Sequence, residues 1–167
     1  RGYSIDALAR EASYEEVLFL LWHGHLPTPE ELSEFSEAMA TERDLDDDVL
    51  AVVRSLAEAD ENPMAALRTA VSSLSAFDAD ASADPQDREA NLRKGRRITA
   101  KIPTIIAAFA RIRDGEEPVA PREDPDHAEN FLYLLNGEAP DEVLAEPFDM
   151  ALGLHTDHGL NASTFSS

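Results

Sequence analysis

Helix-start signals recur along this sequence, and nowhere does it sustain the two-residue alternation of a half-buried strand, so helices are the regular structure it supports. Ser13-Tyr14-Glu15-Glu16 has the form of a capping box, in which the hydroxyl and a carboxylate satisfy backbone N–H groups that a helix start leaves without partners. Val17, Leu18, Leu21 and Trp22 follow on the helical period, and Gly24 supplies a left-handed stop. Thr28-Pro29-Glu30-Glu31 repeats the device, with proline at the first helical position, and opens a helix through about Ala40. Asp46 to Asp48 place negative charge at the positive end of a third helix carrying Val49, Leu50, Val52, Val53 and Leu56. Asn62-Pro63 starts a fourth, with Met64, Leu67, Val71 and Leu74 on one face and Ala65, Ala66, Ala70 and Ser73 thin enough beside it for close helix contact.

Residues 78–87, rich in Asp, Ala and Ser, read as a loop. The longest helix is expected from Arg88 to Arg113, ended by Gly115, with a kink near Thr99 to Pro103 because proline lacks the donor to residue 99 and crowds that carbonyl. Pro118, Pro121 and Pro125 mark an extended connection, followed by a helix from Asp126 to Asn136 capped by Gly137. A last helix is expected from near Pro147 to His158 or Gly159. The fold class is therefore all-α, and 167 residues make one domain.

Charge narrows the partners. The chain has 34 acidic against 14 basic residues, a net charge of -20, and its only lysines are Lys94 and Lys101. Such an excess repels phosphate backbones and anionic lipid, so neither a nucleic acid nor a membrane is an expected partner. Arg93, Lys94, Arg96 and Arg97 cluster against this trend; they read as a solvated stretch of helix, with an anion site as the alternative. An acidic, lysine-poor surface suits hydration in molar salt, where screening within about 3 Å removes most self-repulsion, and points to a halophile's cytoplasm. The absence of cysteine excludes disulfides, thiolate metal sites and thiol nucleophiles. A start at Arg1 rather than Met and a stop at Phe165-Ser166-Ser167 suggest a piece of a longer protein.

The densest polar group is Leu154-His155-Thr156-Asp157-His158-Gly159-Leu160-Asn161-Ala162-Ser163-Thr164-Phe165. His155 and His158 are near neighbours on a helix face, which with Asp157 invites a metal. A metal would need a further ligand, and no motif brings His23, His25 or His127 there, so no metal site is assigned and those three are read as structural histidines capping or solvated at helix ends. By pattern alone the segment is a polar site at a helix C-terminus, where a cationic histidine is favoured and could hold an anion.

The same segment resembles the LHADHELNASTF signature of citrate synthases. Further blocks resemble that family in its own order: Arg1-Gly2-Tyr3 with Ile5, Leu20 to Thr28, Asn62 to Ser72, Lys101 to Ile105, and His127 to Leu135. The resemblance spans 1–167 and implies the N-terminal part of the large helical domain of a citrate synthase, with the small catalytic domain largely missing. It implies condensation of acetyl-CoA with oxaloacetate: a carboxylate takes a methyl proton, a histidine stabilises the enol, the nucleophile attacks the ketone and the thioester is hydrolysed. On this resemblance His158 binds oxaloacetate, and Asn161 and Ser163 hold supporting polar positions. The catalytic aspartate and histidines belong to motifs beyond Ser167, so no catalytic residue is assigned and the chain alone is expected to be inactive. Gly159 stands where many relatives carry Glu, a side chain with no assigned chemistry. Acetyl-CoA is a substrate, and no cofactor is implied. The resemblance also implies a homodimer through helices at 62–74 and 96–114. Open alternatives are a 2-methylcitrate synthase using propionyl-CoA, a non-catalytic helical dimerisation module, and a metal-binding helical protein.

Overall fold

The computed structural model describes residues 2–123 and 126–156, and among them every regular element is a helix. Contacts divide the chain into two units, one from Arg1–Ser36 with Asp141–Ser167 and one from Glu37–Pro140.

In the first unit, α1 (Ile5–Glu11) and α2 (Tyr14–His23) both pack on α8 (Glu142–His155), and the first part of α3 (Pro29–Ala40) joins α2 through aromatic rings. The capping box of α2 is complete: Glu16 N–H donates to Ser13 Oγ at 3.3 Å and Ser13 N–H to Glu16 Oε2 at 2.8 Å. Thr28 and Glu31 make the same reciprocal pair at the start of α3. Val17, Leu18, Phe19 and Leu20 are buried in succession, and Phe35 stands edge-on to both Phe19 and Trp22 at 5.5 and 5.7 Å between ring centres. Such ring pairs add about 0.5–1.5 kcal/mol beyond burial.

Two boundaries differ from the sequence reading. Helix α1 was not foreseen: Ser4 caps it by accepting from Ala7 N–H, but Ala7 stands where a capping box needs Glu or Gln, and none of its residues is buried, so it leaves almost no pattern. Helix α8 starts at Glu142, five residues ahead of Pro147, with Asp141 in the extended cap conformation. Proline at that depth costs one backbone hydrogen bond. Packing of α8 on α1 and α2 offsets the loss, and a local signal does not report that packing.

The second unit is built around α6 (Arg88–Arg113), which packs on α4 (Asp47–Glu58), α5 (Pro63–Ser73) and α7 (His127–Asn136). A single 3-10 turn, Leu74–Ala76, follows α5. The core joins Val49, Val53 and Ala57 of α4, Ala66 and Ala70 of α5, Leu74, and Ile105, Ala108 and Phe109 of α6. Alanine at the contact points lets the helix axes approach, and larger side chains fill the remaining space. Asn62 accepts from Met64 and Ala65 N–H, Asp87 from Ala90 N–H and Asp126 from Glu129 N–H, so α5, α6 and α7 each begin where the sequence places them. Helix α6 runs without interruption through the buried Pro103, and Thr104 beside it donates to Arg43 O at 2.9 Å.

Candidate functional site

The first residues of the polar segment, Leu154 and His155, close α8, with Thr156 as its C-cap. Asp149, midway along that helix, accepts Tyr14 N–H through both carboxylate oxygens at 3.1 Å, so α8 caps the start of α2 with a charge that the helix dipole favours. One turn on, a Cβ on Gly153 would lie 3.9 Å from Val17, so this is where α8 and α2 run close. Burial, then the charges of Glu15 and Asp149, push the Tyr14 hydroxyl up to about 12. Sequence reasoning missed Asp149, because its partner lies 135 residues away and no local spacing reports it.

At the end of α8 the polar side chains turn back on the helix. The exposed His155 bonds through Nδ1 to Ala151 O at 2.7 Å, which requires that nitrogen to carry the proton, and Thr156 Oγ1 donates to Leu152 O at 2.8 Å. Beside this turn lies an apolar hollow of about 140 Å³ among α1, α2 and α8, lined by Ile5, Leu8, Val17, Leu20, Met150 and Leu154. His158, Asn161 and Ser163, with Asp157, lie outside the described residues. Among those described, no group of three His, Cys, Asp or Glu side chains could hold a metal.

The other histidines divide by environment. His25 is exposed and 3.5 Å from Glu31, while His23 stacks on Phe19 at 4.1 Å between ring centres. His127, read as a structural ring capping or solvated at a helix end, is the first residue of α7 and is buried at 5% exposure, and burial followed by the Arg43 charge lowers its pKa to about 4. His127 and Ala128 are buried at this helix start, while the capping Asp126 stays exposed.

In the basic cluster, read as a solvated stretch, Arg93 is exposed at 44%, but the arginines pair with acidic side chains. Arg97 grips Asp78 through Nε and Nη2 at 2.9 and 2.7 Å and reaches Asp80 at 2.5 Å, Arg93 grips Asp80 at 3.0 and 2.6 Å, and Arg96 meets Glu42 at 3.2 Å. The guanidinium groups of Arg93 and Arg97 are held bidentately by the chain's own carboxylates, which removes the anion-site alternative for these two, whereas Arg96 makes a single bond through Nη2 and leaves its buried Nε without a partner. The arginines were legible; their partners, up to 54 residues away, were not.

Helices α5 and α6 show which of their apolar positions the unit itself consumes. Ala66, Ala70, Ile105 and Ala108 are buried against α4, whereas Met64 is 71% exposed and borders an apolar groove of about 140 Å³ with Leu56, Pro63, Leu67 and Ile106.

Comparison with known proteins places these elements. The family model described as "Citrate synthase, C-terminal domain" matches residues 1–167. The chain is 65% identical over 167 residues to a citrate synthase of Haloferax volcanii, covering 99% of this chain and 44% of that protein. It is 49% identical to citrate synthase 2 of Bacillus subtilis over 99% of this chain and 44% of the other, and 40% identical to a 2-methylcitrate synthase of Mycobacterium tuberculosis over 100% and 41%. The crystal structure of citrate synthase from Pyrobaculum aerophilum superposes with a TM-score of 0.91 at 39% identity, covering 98% of this chain and 42% of that one. The chain thus spans less than half the length of the relatives it matches.

Proposed function

Because this chain belongs to the citrate synthase family, we propose that it is the N-terminal part of the large helical domain of an enzyme that condenses acetyl-CoA with oxaloacetate to give citrate and CoA. The observation that carries this reading is the 65% identity to a protein named citrate synthase, against 40% to one named 2-methylcitrate synthase. The order of the family blocks, with the Leu154–Phe165 signature last, supports the placement within the domain.

In this reading α8 positions the signature. Its packing on α1 and α2, with Asp149 capping α2, fixes the helix that carries the first residues of the signature, Leu154 and His155. His158 binds oxaloacetate, whose two carboxylates call for cationic or donor groups, and Asn161 and Ser163 supply supporting polar contacts. The methyl proton of acetyl-CoA passes to a carboxylate, the enol carbon bonds to the ketone carbon of oxaloacetate, and water then cleaves the thioester to release CoA as a thiol. No metal or organic cofactor enters this sequence of steps.

The reading also includes a homodimer through helices at 62–74 and 96–114, for which the exposed Met64 and the groove beside it offer apolar surface. It includes entry of the product into the tricarboxylic acid cycle, and a cytoplasm rich in salt, supported by the net charge of -20. No helix among the described residues is long and apolar enough to cross a membrane.

The test is thiol release from acetyl-CoA on addition of oxaloacetate, in molar potassium chloride, with the intact protein. Oxaloacetate-dependent release, faster with acetyl-CoA than with propionyl-CoA, is the expected outcome. Preference for propionyl-CoA would instead assign the 2-methylcitrate reaction, and no release with either would remove the enzyme reading. His158→Gln is expected to raise KM for oxaloacetate.

A further inference from the structure

The segment between α5 and α6 is attached in an unusual way for a loop of this length. From Ala79 to Gln86 it buries no side chain, and its composition of Asp, Ala, Ser, Pro and Gln offers little apolar surface to bury. Its own backbone bonds are local: Ala81 N–H to Asp78 O, Ala83 N–H to Asp80 O and Asp87 N–H to Asp84 O, each a single turn. What fastens its first half to α6 is charge. Asp78 and Asp80 receive five hydrogen bonds from Arg93 and Arg97, and the far end adds one neutral bond, Asn91 Nδ2 to Pro85 O at 2.9 Å.

These pairs are sheltered. The side chains of Asp78, Asp80 and Arg97 are 11%, 16% and 16% exposed, and Arg93 covers the outer edge at 44%. Bulk ions screen exposed pairs, but they screen partly buried, bidentate ones much less. Hydrogen bonds from Arg93 and then Arg97 hold the Asp80 carboxyl far below the usual carboxylate range, so it stays charged in any ordinary buffer. The other charged groups nearby are Asp87 on the helix cap, Lys101 on α6, bonded to Asp44 O, and Asp46 at the start of α4.

We propose that residues 78–86 form a strap, latched to α6 by the Asp78–Asp80–Arg93–Arg97 network, that opens as one local unit while the helices stay folded. Closed, the strap neutralises two of the cations on the most basic stretch of a chain with a net charge of -20. Open, it presents Arg93 and Arg97 together with Lys94 as a cationic face. The latch therefore decides how much positive charge α6 shows solvent, and its sheltered geometry keeps it shut across a wide range of salt.

Hydrogen exchange read by mass spectrometry on the intact protein tests this. In Asp80→Asn, amides of 78–87 are expected to exchange about tenfold faster or more, while peptides from 98–113 keep their wild-type rates, the signature of local opening. In the wild type, raising potassium chloride from about 0.5 M to about 3 M is expected to change strap exchange by no more than about twofold. Asp80→Glu is expected to restore most of the protection. Unchanged strap exchange in Asp80→Asn, or acceleration shared equally by α4, α5 and α6, overturns the proposal. If Asp80→Asn does not fold, Arg93→Gln, at the exposed edge of the network, supplies the same comparison.

Discussion

Gly137 ends α7 at φ 78°, and its backbone N–H donates to Tyr133 O at 2.7 Å. An alanine Cβ there would stand 3.1 Å from Nη1, 3.5 Å from Nη2 and 3.6 Å from Cζ of Arg111, directly on the guanidinium. That guanidinium has little room to yield, because it is held to Glu117 O at 2.9 Å, Leu135 O at 3.1 Å and the Glu116 carboxylate at 2.9 Å, with its side chain 14% exposed. Gly115, after α6, has a similar φ of 80° and nothing within 4 Å of the same added carbon. Left-handed strain of about 1–2 kcal/mol therefore applies to Gly115→Ala and Gly137→Ala alike. Displacing Arg111 from Leu135 O adds about 1.5–3 kcal/mol for a hydrogen bond from a charged donor, so Gly137→Ala is expected to cost about 2.5–5 kcal/mol in all. Urea unfolding in molar potassium chloride measures both substitutions, and a double-mutant cycle with Arg111→Ala isolates the added part. In the Arg111→Ala background the cost of Gly137→Ala is expected to fall to that of Gly115→Ala. Equal costs for the two glycines in the wild-type background, or an excess that survives removal of Arg111, would refute the reasoning.

Buried His127, with its pKa lowered to about 4 from 6.5, stays neutral in the fold while the unfolded chain takes up a proton below pH 6.5, so its contribution is present above that value and is lost as pH falls toward 4. Between pH 7 and pH 5 this amounts to about 2 kcal/mol, and His127→Gln is expected to flatten that part of the urea-stability profile. Ile105, 1% exposed at the centre of the α4–α5–α6 core, is expected to cost about 2–5 kcal/mol as Ile105→Ala, read by the same unfolding assay. Met64 is 71% exposed, so Met64→Ser is expected to leave the helix content measured by circular dichroism unchanged while shifting sedimentation from dimer toward monomer. An unchanged dimer would place its interface elsewhere.

The helices that could be read from the sequence are those whose signals are local. Ser13 with Glu16, Thr28 with Glu31, Asn62 with Pro63, and Asp126 before His127 each satisfy N–H groups within three residues, so the sequence alone set the starts of α2, α3, α5 and α7. The stops at Gly24, Gly115 and Gly137 were legible for a like reason, since a positive φ is a property of one residue. The site was legible only as a segment: Leu154–Phe165 stands out by composition and by its family resemblance, while the side chain that docks its helix, Asp149, acts on Tyr14 at the other end of the chain. Tertiary structure likewise decided that α8 begins ahead of Pro147, that His127 lies buried beside Arg43, and that Arg93 and Arg97 pair with Asp80. In each of these a preference worth about one hydrogen bond was overruled by packing or by a charge brought from elsewhere in the chain. Local hydrogen bonding determines where helices start and stop; which of their faces become core, latch or site depends on what the fold sets against them, because burial and charge pairing act through space and leave no fixed spacing in the sequence.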